Sequence, residues 1–211
     1  MVGHQAVPHF KSWLDAVAVI GLGIKDREAL GHNRRVAQLC VHIGRQLAMT
    51  GAELRVLARS GLLHDVGKLG IPDAILDKQS ALDEAEWALM KSHPEMGLSM
   101  LGKSGKARRE VLAVLYHHER LDGSGYQYGL AGDGIPIEAR IVAAADTYDA
   151  LTSDRPYRSA CSLDDARRVL QREACGRLDP KVVAALLRAL DSGGPTPRST
   201  RMRFSPVVLA S

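Results

Sequence analysis

Apolar residues in the first half of the chain repeat with helical spacing. Val36, Leu39, Cys40, Ile43 and Leu47 recur at intervals of three or four residues. Because an α-helix turns once in about 3.6 residues, this spacing places all five on one face. The same spacing recurs over residues 54–62. The pattern therefore predicts two helices whose apolar faces are directed into a core.

Helix-start signals continue along the second half. Asp83 and Ser162 each precede an acidic residue by three positions, and Asp179 precedes a proline, as is typical of the first turn of a helix. A further helix is predicted over residues 106–118, with Val111, Leu112 and Leu115 directed inward. No alternating pattern of useful length indicates a strand, so the predicted fold class is all-α.

One long segment lacks helical spacing. Residues 120–136 read RLDGSGYQYGLAGDGIP, which is rich in glycine. Such composition predicts a loop, here between the helix over residues 106–118 and an apolar helix that begins near Ile137.

Composition narrows the class of protein. The chain has 211 residues, 45% of them hydrophobic, which is enough for one domain with a full core. No apolar run approaches the roughly 20 residues of a membrane span, and the N-terminus lacks a signal-peptide layout, so we expect a cytoplasmic protein with no membrane contact. The three cysteines are far apart, which argues against disulfides and a structural zinc site. A net charge of +4 fits a small anionic ligand better than a specific nucleic acid.

Candidate chemistry lies in histidines and carboxylates near predicted helices. Asp65 follows one histidine directly, Glu28 precedes another by four residues, and Asp146 interrupts an apolar helix. Five of the eight histidines are candidates, namely His32, His64, His93, His117 and His118. Any one of them alone is more often a core or surface residue than a ligand, and Asp65 has an alternative role in a salt bridge with Lys68. Their joint occurrence on successive helices favours a metal centre.

The ligand types indicate which metals would bind. Imidazole and carboxylate without thiolate suit iron or manganese best, with zinc or nickel as alternatives. Several carboxylates favour more than one ion, and Asp65, beside a histidine, is the natural bridging group.

Four sequence runs also carry a family resemblance. They resemble, in order and spacing, the HD-GYP family of cyclic di-GMP phosphodiesterases within the HD metal-dependent phosphohydrolase superfamily. The runs are LLHDVGKLGIPDAIL, MKSHPEMG, YHHERLDGSGYQYGLAGDGIP and RIVAAADTYDALTSDRPYR. The resemblance implies a helical bundle with the glycine-rich loop over the metal site. We expect an N-terminal extension over residues 1–13, the HD-GYP domain over 14–191 and a basic, flexible tail over 192–211.

The resemblance assigns roles to individual residues. It implies two or three divalent ions, iron or manganese, and a lysine, Lys68, near the scissile phosphate. Arg155 and Arg158 match residues that contact substrate phosphates, although a surface salt bridge of Arg155 with Asp154 or Asp149 is the alternative. The implied metal ligands are His32, His64, Asp65, His93, His117, His118 and Asp146, with Glu28 as a ligand of the third ion.

The loop departs from the family pattern. Gly125, Tyr126 and Gln127 stand where the family carries Gly-Tyr-Pro. Tyr126 is a candidate to stack on a guanine base, or alternatively a loop aromatic that covers the core. Loss of the proline predicts a looser loop, and restoring it at Gln127 is expected to tighten substrate binding if the backbone admits proline.

Three functions are consistent with these residues. The first is hydrolysis of cyclic di-GMP by a metal-bridging hydroxide, with Asp65 and Lys68 as catalytic residues, either to linear pGpG or onward to GMP. The second is a non-catalytic cyclic di-GMP receptor whose loop docks on a protein partner. The third is an HD phosphohydrolase of another nucleotide. Because the implied ligand set is complete, the enzyme is favoured.

Overall fold

The protein folds as a bundle of helices. The computed structural model describes residues 27–101, 108–154 and 159–193, with side chains described from residue 29 onward in the first range and from 109 in the second. These ranges contain no strand, which confirms the all-α prediction. The α-helices are α1 (Arg27–Gln46), α2 (Gly51–Leu63), α3 (Asp73–Leu76), α4 (Glu84–Lys91), α5 (His93–Leu101), α6 (Arg108–Tyr116), α7 (Ile137–Thr152), α8 (Leu163–Glu173) and α9 (Pro180–Asp191), and two short 3-10 helices cover Val66–Gly70 and Gly132–Gly134.

The predicted helix starts are confirmed. Asp83 caps α4 in a reciprocal capping box with Glu86, and the side chains of Ser162 and Asp179 accept from the first-turn amides of α8 and α9. These caps satisfy backbone donors that have no partner within a helix. Helix α7 begins at Ile137, as predicted.

Two apolar cores hold the bundle together. The larger core lies between α1, α7, α8 and α9 and includes the predicted stripe of Val36, Leu39, Cys40 and Ile43 on α1. The smaller core joins the end of α2 to α5 and α6. The segment that follows α2 is therefore packed in the smaller core, which contains Leu62, Leu63 and Val66.

One predicted helix is shorter than expected. Helix α6 ends at Tyr116, so His117 and His118 lie in the turn that follows it and not on the helix. Leu112 is only half-buried, and Ala113 and Val114 are buried in its place. Helix α6 packs against α2, α5 and α7 at once. Its buried face is therefore wider than the predicted stripe and includes Ala113 and Val114.

The 3-10 helix after α2 packs against α5 without intervening side chains. A Cβ added at Gly67 would lie 1.8 Å from the carbonyl oxygen of His93. Only glycine permits such an approach of two backbones. The contact brings residues 64–68 and the start of α5 together.

No helix in residues 27–101, 108–154 and 159–193 is long and apolar enough to cross a membrane. The N-terminal extension and nearly all of the basic tail lie outside these ranges, so the expected domain boundaries stay predictions.

Candidate metal centre

Five histidines from four segments meet in one cluster. His32 lies inside α1, His64 follows α2, His93 opens α5, and His117 and His118 follow α6. Neighbouring rings are in contact, with centroids 5.2 Å apart for His32 and His64 and 5.1 Å apart for His64 and His117. Residues far apart in sequence thus form one cluster, as the joint occurrence of the histidines predicted.

Asp65 occupies the middle of this cluster and faces it with both oxygens. Oδ1 lies 3.3 Å from Nε2 of His93 and 3.9 Å from Nε2 of His117. Oδ2 lies 3.3 Å from Nε2 of His64 and 3.9 Å from Nε2 of His32. Within the described part of the chain, two groups of residues have metal-ligand spacing, Asp65 with His93, His117 and His118, and His32 with His64 and Asp65. Asp65 belongs to both, which is the position of a bridging carboxylate.

The other ring nitrogens fix the orientation of the histidines. Nδ1 of His64, His93 and His117 lies 2.8, 2.8 and 2.7 Å from the carbonyl oxygen three residues earlier. In a neutral imidazole, donation from Nδ1 to a carbonyl leaves Nε2 unprotonated, the form that binds a metal. In each ring Nε2 therefore faces Asp65 with its lone pair available.

The surroundings of Nε2 of His64 show whether a metal fits the site. Nε2 of His64 is fully buried and has no hydrogen-bond partner among the described residues. Its 3.3 Å separation from Asp65 Oδ2 is within ion-pair range but lacks hydrogen-bond geometry. An unpaired buried imidazole nitrogen is unfavourable without a ligand, and a divalent cation between it and the carboxylate removes that penalty. The residues present fit a metal.

His32 is held by a carboxylate that the sequence analysis did not assign to the site. Its Nδ1 lies 2.7 Å from Oδ2 of Asp149, which is 2% exposed. Arg35 donates to both oxygens of Asp149, from Nε at 2.6 Å and from an Nη atom at 3.0 Å. The sequence does indicate this role, because Asp149 lies three residues after Asp146 on the same apolar helix. That spacing places both carboxylates on one helix face.

Asp146 contacts the same histidine from the other side. Its Oδ1 lies 3.3 Å from Nε2 of His32. Burial alone would lower the pKa of His32, but hydrogen bonds with Asp146 and Asp149, together with the charges of Asp146 and Asp65, outweigh burial and raise it to about 9. Burial alone would raise the pKa of Asp146, and His32 likewise reverses that shift and holds the pKa below its usual range. Negative charge therefore dominates this end of the cluster.

At the opposite end of the cluster, the pKa values of His117, His118 and Asp65 are all lowered. Burial, followed by the neighbouring imidazoles, lowers the pKa of His117 and His118 well below the ordinary value. Burial would raise the pKa of Asp65, but the charges of Lys68 and His64 outweigh it and hold the pKa well below its usual range. Neutral imidazoles and an ionised carboxylate are the protonation states that metal binding requires.

Lys68 lies at the edge of the cluster. Its Nζ donates to Oδ2 of Asp65 at 2.6 Å, and one third of the side chain is exposed. The salt bridge considered from the sequence therefore exists, but it does not replace the contacts of Asp65 with the histidines. The ammonium group lies where the centre opens to solvent.

The glycine-rich loop covers one histidine. The ring of Tyr126 stacks on His118, with centroids 4.6 Å apart and an angle of 23° between the planes. Burial, then the charge of Asp65, raises the pKa of the Tyr126 phenol. Tyr126 thus contacts a histidine of the cluster, and its role toward a base stays a prediction.

The backbone of Gln127 corrects one expectation. Its φ is +106°, whereas the ring of proline holds φ near −65°. Proline cannot replace Gln127 without moving the loop, so the condition on which it was expected to tighten substrate binding is not met. The Nε2 of Gln127 is buried and lacks a hydrogen-bond partner in the described ranges.

Three predicted site residues cannot be placed. Glu28 lies in α1, one turn before His32, but its side chain is outside the described residues. Arg155 and Arg158 fall in residues 155–158, which are also outside them. Their expected roles stay predictions.

The fold and the site define the class of protein, an all-helical domain that holds a buried histidine and carboxylate centre suited to divalent metal. Residues 22–182 match the family model described as HD domain. The chain belongs to the HD domain family. The resemblance to the HD-GYP proteins of that family is confirmed by its relatives.

Two curated relatives and one solved structure show the similarity. The chain is 42% identical over 161 residues to 3'3'-cGAMP-specific phosphodiesterase 3 of Vibrio cholerae, covering 76% of this chain and 35% of that one. It is 44% identical over 156 residues to cyclic di-GMP phosphodiesterase response regulator RpfG of Xanthomonas campestris, covering 73% and 41%. A crystal structure of a cyclic GMP-AMP specific phosphodiesterase of V. cholerae aligns with a TM-score of 0.53 at 34% identity, covering 88% of this chain and 42% of that one. The chain thus spans less than half the length of these curated relatives.

Proposed function

We propose that this chain is a metal-dependent phosphodiesterase that hydrolyses cyclic di-GMP to linear pGpG and, in a second cleavage, to GMP. The observation that carries the proposal is Asp65, whose two oxygens face two separate groups of histidines. A carboxylate in this position would hold two ions, an arrangement that many enzymes that cleave phosphate esters use. Two relatives that bear the names of cyclic dinucleotide phosphodiesterases support the substrate class.

The described residues divide into two sets of ligands. His32, His64, Asp65 and Asp146 would hold one ion, and Asp65 with His93, His117 and His118 would hold the other. When bound, such ions lower the pKa of water and neutralise charge on a phosphate. Iron or manganese suits the oxygen and nitrogen donors best.

Other side chains of the chain would bind and orient the substrate. The ammonium of Lys68, at the open edge of the centre, would neutralise charge on the scissile phosphate and stabilise the transition state. The ring of Tyr126 has one face against His118 and would offer the other to a guanine base. Arg155 and Arg158 would bind the phosphates in the bidentate manner of guanidinium.

Glu28 is proposed as a ligand of a third ion. Helix α1 begins at Arg27, so Glu28 and His32 lie four residues apart on one helix and share a face. Glu28→Ala should lower the metal content by about one ion per chain and leave the two central ions bound, in line with the loss of one ligand. An unchanged ratio of metal to protein would make Glu28 a solvated acid of the first helical turn.

No observation favours the receptor over the enzyme. A domain that binds without catalysis can lose ligands, whereas each expected ligand whose side chain is described lies in the cluster. Docking of a protein partner on the glycine-rich loop is compatible with either function.

The relatives leave open which cyclic dinucleotide is preferred, because one is named for cyclic di-GMP and another for 3'3'-cGAMP. The test is therefore metal analysis of protein purified without oxygen, followed by chromatography of digests of both nucleotides. We expect about two or more ions per chain and production of pGpG from cyclic di-GMP. Asp65→Ala should abolish both properties. Binding of cyclic di-GMP without cleavage by the metal-loaded protein would support the receptor instead.

A further inference from the structure

The glycine-rich loop is attached to three consecutive residues that include a metal-ligand histidine. A Cβ at Gly125 would lie 2.5 Å from Cα of Glu119 and 2.7 Å from the amide nitrogen of Arg120, so the loop backbone lies directly on this turn. Tyr126 stacks on His118 at the same place. The position of the loop and the position of His118 are thus physically linked.

Glu119 makes a buried polar contact with the loop, in addition to the exposed 3.3 Å hydrogen bond that the Tyr128 hydroxyl donates to Oε1 of Glu95. Its Oε1 accepts a 2.8 Å hydrogen bond from the backbone amide of Tyr128, and the residue is only 2% exposed. A carboxylate that accepts from a backbone amide away from water forms a stronger bond than a neutral pair does. Glu119 therefore holds the loop at a point two residues beyond Tyr126.

The turn that carries Glu119 is itself held in place. One Nη atom of Arg120 donates to the carbonyl oxygens of His117 and Glu119, at 3.2 and 3.0 Å. The base of the loop is closed by the amide of Gly132, which donates to the carbonyl of Leu121 at 3.0 Å. The turn that carries the Glu119 carboxylate is thus fixed by its own hydrogen bonds, and so is the base of the loop.

Gln127 lies between the two points of attachment and is strained. Its φ of +106° is uncommon for a residue with a side chain and strains the backbone. Such a conformation persists only when the surroundings impose it. Here the Tyr126 ring is held on His118 on one side of Gln127, and the Tyr128 amide is held by Glu119 on the other.

We propose that Glu119 is a positioning residue that holds Tyr126 over His118 through the amide of Tyr128. Release of this hydrogen bond allows Gln127 to relax to negative φ and frees Tyr126 from His118. The Glu119 contact therefore determines how much of the time the ring of Tyr126 is available at the centre to bind a base. This consequence for the substrate rests on the proposed function, whereas the coupling of Glu119 to the loop does not.

Hydrogen exchange at residues 121–134 tests the coupling without any substrate. Glu119→Ala should increase exchange of the Tyr128 amide about tenfold, because a hydrogen bond to a charged group is lost. Glu119→Gln should restore most of the protection, since its carbonyl oxygen accepts the same bond. Glu110→Ala is the matched control, because Glu110 is, like Glu119, a buried glutamate, but it lies on α6 and pairs with Arg59 at 3.3 Å.

Kinetics on cyclic di-GMP tests the consequence for the substrate. Glu119→Ala should raise KM about tenfold with kcat changed less than about twofold, and Glu119→Gln should recover KM. If Glu119→Ala does not fold, Glu119→Asp retains the charge but withdraws it from the Tyr128 amide and should show the same direction of change.

Two results would overturn the inference. Loop exchange that is unchanged in Glu119→Ala, or equally increased in Glu110→Ala, would show that Glu119 has no specific hold on the loop. A fall in kcat at constant KM would show that Glu119 acts on the metal ligands and not on the position of Tyr126. A wild-type protein that cleaves no cyclic dinucleotide would refute the proposed function, and the exchange measurements would still decide the inference.

Discussion

Nδ1 of His32, on α1, lies 2.7 Å from Oδ2 of Asp149, on α7, and Arg35 holds the same carboxylate from Nε at 2.6 Å. The other three histidines with a bonded Nδ1 contact backbone carbonyls. His32 is thus distinguished by an anionic partner, which makes its Nε2 more basic and a stronger metal ligand.

Substitution of Asp149 should weaken metal binding. In Asp149→Ala, His32 loses the group that fixes its tautomer and ring orientation, so we expect a 10- to 100-fold loss of affinity for one ion, as is typical of such partners. Metal titration of the apoprotein measures the effect. The control is Ser153→Ala, because Ser153 contacts Asp149 at 3.3 Å but has no described contact with His32. Equal metal affinity in wild type and Asp149→Ala would contradict this role.

Removal of metal should destabilise the fold. Asp65 and His64 are 3% and 1% exposed, so without a cation they keep polar groups buried in the interior with incomplete partners. Chelation should therefore lower Tm, and titration of metal back into the apoprotein should restore it in a concentration-dependent manner. An unchanged Tm after complete removal of metal would show that the cluster does not bind an ion in the folded state.

The apoprotein should lose stability at alkaline pH through His32. The folded-state pKa of His32 is raised from 6.5 to about 9 by Asp146 and Asp149 against the effect of burial. A raised pKa stabilises the fold fully below pH 6.5, and this contribution is lost as pH rises from 6.5 through about 9. Chemical unfolding of metal-free protein across this range should show the decline, and His32→Gln should flatten it. A curve of equal slope in His32→Gln would assign the decline to other groups.

Proline at position 127 should loosen the loop. Because φ of Gln127 is +106°, Gln127→Pro forces the loop away from His118, and we expect KM to rise at least about fivefold. Glycine adopts this φ without strain, so Gln127→Gly is the matched control and should keep KM near the wild-type value. A lower KM in Gln127→Pro would mean that substrate is bound with the loop in another conformation.

A side chain at Gly67 should disrupt the contact that brings the metal ligands together. The added Cβ of Gly67→Ala would lie 1.8 Å from the carbonyl oxygen of His93, so the 3-10 helix and α5 must separate. We expect a loss of about 3 kcal/mol or more in the free energy of unfolding, together with weaker metal binding. Gly134→Ala is the control, since a Cβ there meets no atom within 4 Å. Chemical denaturation of both variants measures the difference, and equal stability would contradict the packing described.

Much of this protein is determined by local sequence. Helical periodicity placed Val36 and Ile43 in the core, and the residues before α4, α8 and α9 predicted where those helices begin. Such signals depend on neighbours within about one helical turn, so they can be recognised from the sequence without knowledge of the fold. The histidines were also recognisable, because an imidazole beside an apolar run requires a partner.

Tertiary structure decided how those groups act on one another. That Asp65 faces histidines of four segments, and that His32 is held by Asp149, depends on how α1, α5, α6 and α7 cross. The φ of Gln127 is likewise imposed from outside, since Glu119 and His118 hold its two neighbours. Sequence sets the preferences of each residue and its near neighbours, whereas distances between residues more than a hundred positions apart, and strain at a single backbone bond, arise only when the packed chain satisfies many contacts at once.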